Sequence, residues 1–134
     1  MDVQVNWVAV IAGAISTLVV GFIWYSKPLF AKQWMKLSGL SASDVKNGPG
    51  MGYALTFVTS LVMCYVLAVF QGQAGVADWM AGAKVGLWAS VGFAATAFAS
   101  DTIFNKKPMN LFFITAGYQV VAITVAGAII AALS

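Results

Sequence analysis

The sequence predicts an all-α integral membrane protein, a four-helix bundle with a short amphipathic interfacial helix between its first and second spans. Three observations carry this. Of 134 residues, 61% are hydrophobic and only 8% are charged, whereas soluble domains carry about a quarter charged residues. Four apolar stretches each approach the roughly 20 helical residues needed to cross a hydrocarbon core of about 30 Å. The lysines gather in alternate connections, as in a chain that crosses a bilayer repeatedly. Helices are required because every backbone polar group must be satisfied within lipid, and four strands would not close a barrel. Residues 1–134 read as one transmembrane domain.

The first span is predicted over about residues 5–25, with Asn6 placed to cap it and Trp7 at its end. No Lys or Arg precedes this stretch, and it is longer than the apolar core of a secretory signal, so a retained helix is expected. The next segment, SKPLFAKQWMKLSGL, predicts the interfacial helix over about 28–38. Ser26 is its candidate cap, Pro28 suits a first turn, and Gly39 is a stop. Phe30, Trp34 and Leu37 would share one face and Lys32 and Lys36 the other. Ser41 to Asp44 resembles a capping box and predicts a further turn or two before Gly48-Pro49-Gly50. The second span is predicted over about 51–70, followed by a loop from Gln71 to Asp78. The third runs over about 79–104, capped by Asp78, and the fourth over about 110–133.

All seven basic residues are lysines (Lys27, Lys32, Lys36, Lys46, Lys84, Lys106 and Lys107), and the acids are Asp2, Asp44, Asp78 and Asp101. The connections at 26–50 and 105–109 hold six of the lysines. The positive-inside rule therefore predicts cytoplasmic loops 26–50 and 105–109 and both termini outside, in a bacterial inner membrane. Lys84, two turns into the third span, is expected to snorkel to the interface. Trp7, Trp79, Trp24, Tyr25 and Tyr53 fall near span ends, where aromatic belts form. Trp88 and Tyr118 lie deeper and are expected to find partners inside the protein. The net charge of +3 suits anionic lipid headgroups, not nucleic acid.

Helices associate in lipid through close approach of small residues. Each span offers such a stripe: Ala9, Gly13, Thr17 and Gly21; Gly52, Thr56, Ser60, Cys64 and Ala68; Gly82, Gly86, Ser90 and Ala94; and Thr124, Ala128 and Ala132. Repeated Gly-Phe, Lys-Pro and Gly-Tyr pairs hint at two related hairpins, although their spacings differ.

The chain has no His, Arg or Glu, and so no imidazole base and no guanidinium clamp. The single cysteine, Cys64, sits in an apolar run where a thiol acts as a packing residue. Catalytic, metal and cofactor residues are therefore expected to be none, and the protein is expected not to be an enzyme. Two constellations remain. Asp101, at the end of the third span, is expected to form an interface ion pair with Lys106, Lys107 or Lys27, its alternative being a proton or cation site. Trp88, Ser90, Asp101, Tyr118 and Gln119 form a candidate polar seam.

The runs WYSKPLFAKQW at 24–34 and FNKKPMNLFFITAGY at 104–118, with the apolar stretches around them, resemble the membrane-protein family catalogued as domain of unknown function 1761. The resemblance covers nearly the whole chain. It implies a mostly bacterial four-helix protein with no assigned activity, and it carries over no functional residue. Membrane glutathione-transferase relatives rely on Arg and Glu absent here, and small multidrug transporters on a first-helix Glu with no counterpart. The expected function is a non-enzymatic membrane protein acting by helix packing, as a homo-oligomer or an accessory subunit, with membrane lipids as partners. The alternative is a small transporter or channel.

Overall fold

A computed structural model describes residues 5–25, 31–38 and 50–133, and their side chains except at 31, 32, 38 and 50–53. Five helices follow in order: α1 (Trp7–Trp24), α2 (Ala31–Ser38), α3 (Gly50–Ala74), α4 (Trp79–Phe104) and α5 (Met109–Leu133). Within α1, α3, α4 and α5 lie stretches long and apolar enough to cross a membrane, with mean hydropathies of 2.1, 1.9, 1.2 and 1.9. The chain is a multi-pass, all-α membrane protein. Ser26, Pro28, Phe30 and the Ser41–Asp44 segment lie outside the described residues.

The two capped helix starts follow local chemistry. The Asn6 side-chain oxygen accepts from the amides of Val8 and Ala9 at 3.0 and 3.3 Å, and an Asp78 oxygen accepts from the Ala81 amide at 2.9 Å. Each thereby satisfies amides that a helix start leaves without carbonyl partners. On α2, Trp34 and Leu37 are half-buried while Gln33 and Lys36 are exposed, so the helix presents its apolar face to the bundle. Trp34 meets the ring of Tyr25 at 5.2 Å.

Helix α5 is the hub. It packs most extensively on α4 and next on α1, whereas α3 rests mainly on α1. The core comprises Ala9, Val10, Ala14, Cys64, Leu67, Ile123, Ala126 and Ile130. Close approach dominates at α4–α5. A Cβ built on Gly82 would collide with the Gly127 carbonyl and the Ala131 methyl, and one on Gly86 would come within 2.5 Å of the Ile123 carbonyl. Backbones this near gain dispersion contacts that larger residues would block.

The α1 stripe packs as expected, with Ala9, Gly13 and Thr17 buried. In α3, Ser60 and Cys64 are buried but Thr56 faces outward. The α5 stripe is corrected. Ala132 is exposed and Thr124 only half-buried, and the row that meets the α4 glycines is Ile123, Gly127 and Ala131. Alanine and glycine occur all round this helix, so composition does not select a face.

One boundary also moves, and one span departs from regular α-helix. Helix α3 continues through Ala74, one turn past the expected end at Phe70, because Gln71 is not a loop residue. Its side chain is buried, and its Nε2 donates to the carbonyls of Gly127 at 2.9 Å and Gly82 at 3.3 Å. The third span contains a π-helical segment, Ser90–Ala95, between α-helical Trp79–Ala89 and Thr96–Phe104. The Thr96 hydroxyl lies 2.8 and 3.0 Å from the carbonyls of Gly92 and Phe93. It thus offers a donor to carbonyls where the ordinary helical register is interrupted.

Candidate functional site: an aromatic junction, a charged turn and a membrane cavity

The two stretches that carry the family resemblance meet in space. Trp24 and Tyr25, at the end of α1, stand against Gly117 and Tyr118 of α5. Trp24 Nε1 donates to the Ile114 carbonyl at 3.0 Å, and Tyr118 Oη donates to the Thr17 carbonyl at 2.9 Å. The packing is reciprocal. A Cβ on Gly21 would lie 3.3 Å from the Tyr118 ring, and one on Gly117 would lie 3.1 Å from the Trp24 ring. Each helix therefore lends a glycine to the other's aromatic side chain. Tyr25 lies 5.5 Å from Tyr118 and also meets Trp34, so α2 is tied to this junction.

At the opposite end, Asn6 Nδ2 donates to the Leu133 carbonyl at 2.9 Å. Near mid-span, the Thr17 hydroxyl lies 2.7 Å from the Ala14 carbonyl and 3.1 Å from Ser60 Oγ. These bonds run between α1 and its neighbours along its length. Interhelical hydrogen bonds in membranes contribute about 0.6 kcal/mol each, so together they fix register more than they supply stability.

The candidate polar seam is not one surface. Ser90 is fully buried, and its hydroxyl donates to the Leu87 carbonyl at 3.0 Å. Tyr118 turns to α1. Trp88 is 79% exposed, which corrects the expectation that it packs inside. At i, i+4 spacing it continues Lys84 towards Gly92, Thr96 and Ser100, all of them exposed. The whole row faces away from α5.

Asp101 closes a charged turn. Its Oδ2 lies 2.6 Å from Lys107 Nζ, and its Oδ1 accepts from Asn105 Nδ2. The backbone explains why Lys107 can reach back. Lys106 adopts φ 54°, and the Lys107 amide donates to the Thr102 carbonyl at 3.1 Å, the signature of a Schellman-type helix end. Lys106 is exposed and Lys27 lies outside the described residues. The pair is half-exposed, with 45% and 42% of the side chains accessible, so solvent screens it and it shapes the turn more than it stabilises the fold. Asn105 escaped the sequence reading, although an Asn four residues after an Asp on a helix is a recognisable pairing.

The Gln119 amide lines a cavity of about 490 Å³ between α3, α4 and α5. Its walls include Met63, Phe70, Phe93 and Phe98, two of them brought there by the π segment and the turn after it. Sequence reasoning missed the cavity because no phenylalanine is distinctive in an apolar span. The combination of Ser90, Gly92 and Thr96 was the available sign that α4 departs from regular geometry.

No curated protein and no solved structure matches the chain. Residues 8–131, nearly the whole bundle with the aromatic junction, match the family model described as protein of unknown function (DUF1761), and the chain belongs to that family.

Proposed function

We propose that this is a non-enzymatic protein of the bacterial inner membrane that acts by helix packing, as a homo-oligomer or an accessory subunit of a larger complex. The supporting observation is the outward face of α4. Trp88, Gly92, Thr96 and Ser100 are exposed there within the span, and a Cβ on Gly92 would meet nothing within 4 Å. A large ring beside a small-residue groove offers knob and notch on one surface, the self-complementary arrangement a two-fold interface uses.

The loops around α2 and at Lys106 and Lys107 lie on the cytoplasmic side in this reading, and both termini lie outside. A small transporter would pass its solute along Ser90, Tyr118, Gln119 and Asp101. Ser90, Tyr118 and Asp101 turn to separate neighbours, which favours the packing role.

Native mass spectrometry in mild detergent is expected to show a dimer, a higher oligomer or a complex with a co-purified subunit. Gly92→Leu fills the notch without touching the described interior, and is expected to shift the distribution to monomer with helicity retained. A wild-type protein that is only monomeric and free of partners overturns the proposal.

A further inference from the structure

The cavity between α3, α4 and α5 has the size of a small-molecule site, about 490 Å³ within the roughly 300–1,000 Å³ that such sites span. Its described lining is apolar apart from Gln119. Met63, Phe70, Phe93 and Phe98 supply soft and aromatic walls, and Ala89 and Ala94 leave room between them. No charged side chain is among the lining residues, so an ionic headgroup has no counterion there.

Gln119 is what separates this cavity from a gap filled by any lipid chain. It stands ten residues beyond Met109, about 15 Å along a helix that rises 1.5 Å per residue, and so near the middle of α5. The residue is half-buried, and its side chain makes no hydrogen bond to a described residue. Hydrocarbon offers an amide nothing in return, so an amide facing it gains from any ligand oxygen that pairs with it. The π segment adds a second feature. π-Bulges in long helices frequently mark functional sites, and this one contributes Phe93 and Ala94 to the wall.

We propose that the cavity binds an uncharged, membrane-soluble molecule with an apolar body and one hydroxyl or carbonyl oxygen, which pairs with the Gln119 amide. The apolar walls exclude charge, and the amide selects an oxygen-bearing ligand over plain hydrocarbon. The inference does not depend on the oligomeric state of the protein, which is read by a separate measurement.

The test uses the full chain in lipid nanodiscs and two probes, a long-chain fatty alcohol carrying a diazirine and the matching diazirine hydrocarbon without the hydroxyl. After irradiation, mass spectrometry is expected to find alcohol adducts on the cavity walls, chiefly Phe70, Phe93 and Phe98, at higher yield than hydrocarbon adducts. Gln119→Leu preserves volume and is expected to remove that preference, lowering alcohol labelling roughly three- to tenfold, the worth of one hydrogen bond. Ala89→Phe is expected to abolish labelling by both probes. If that variant fails to fold, the Gln119→Leu comparison still decides. Equal labelling by the two probes, unaffected by Gln119→Leu, would mean an ordinary acyl chain and overturn the proposal. Adducts lying elsewhere, or a cross-link from the cavity to a second copy of the chain, would overturn it too.

Discussion

Lys106 holds a left-handed backbone, φ 54°, at the position after a helix end where glycine is favoured. A side chain in that region costs about 1–2 kcal/mol, partly offset because glycine loses more freedom on folding. Lys106→Gly is therefore expected to stabilise the protein by about 0.5–1 kcal/mol, and Lys106→Ala to leave it nearly unchanged. Unfolding in a sodium dodecyl sulfate titration measures both, and a destabilised Lys106→Gly variant would contradict the account. Residue-scale legibility followed the range of the forces involved. The caps at Asn6 and Asp78 were readable because donor and acceptor lie within three residues. Trp88 and Gln71 were not, because whether a side chain faces lipid or a neighbouring helix depends on partners far along the sequence.

The α4–α5 contact shows the same limit for whole elements. Gly82 and Gly86 were recognised as a small-residue stripe, and their carbonyl contacts with Gly127 and Ile123 explain its purpose. The matching surface of α5 lies one position away from the expected stripe, since this helix is apolar and small-residue-rich on every side. Gly82→Ala is expected to cost about 1–3 kcal/mol, the range for overpacking, because its methyl would meet a carbonyl that cannot move aside. The same titration checks it, and an unchanged midpoint would show that the helices separate without penalty. The π segment was illegible as such, because one inserted residue alters neither the length nor the hydropathy of a span.

At the level of the whole molecule, the four spans and their order were legible because lipid imposes them through length and hydropathy alone. What composition did not reveal is that α5 occupies the centre, with α1 and α4 packed along it and α3 resting mainly on α1. Sidedness is testable independently. In a Cys64→Ala background, Gln33→Cys and Ala74→Cys place thiols at exposed positions in α2 and at the end of α3. An impermeant maleimide added outside intact cells is expected to label position 74 and spare position 33. Equal labelling would overturn the proposed orientation.

The bonds that hold α1 to α5 also impose a schedule on biogenesis. Thr17 and Tyr118 are 101 residues apart, Trp24 and Ile114 are 90, and Asn6 and Leu133 are 127. At a translation rate of roughly 5–20 residues per second, the ribosome needs on the order of 5–20 s to deliver Tyr118 after Thr17. During that interval α1 waits in the bilayer with Gly13, Thr17 and Gly21 lacking their α5 neighbours. It is the stage at which membrane proteases and insertases would find the nascent chain most open to capture.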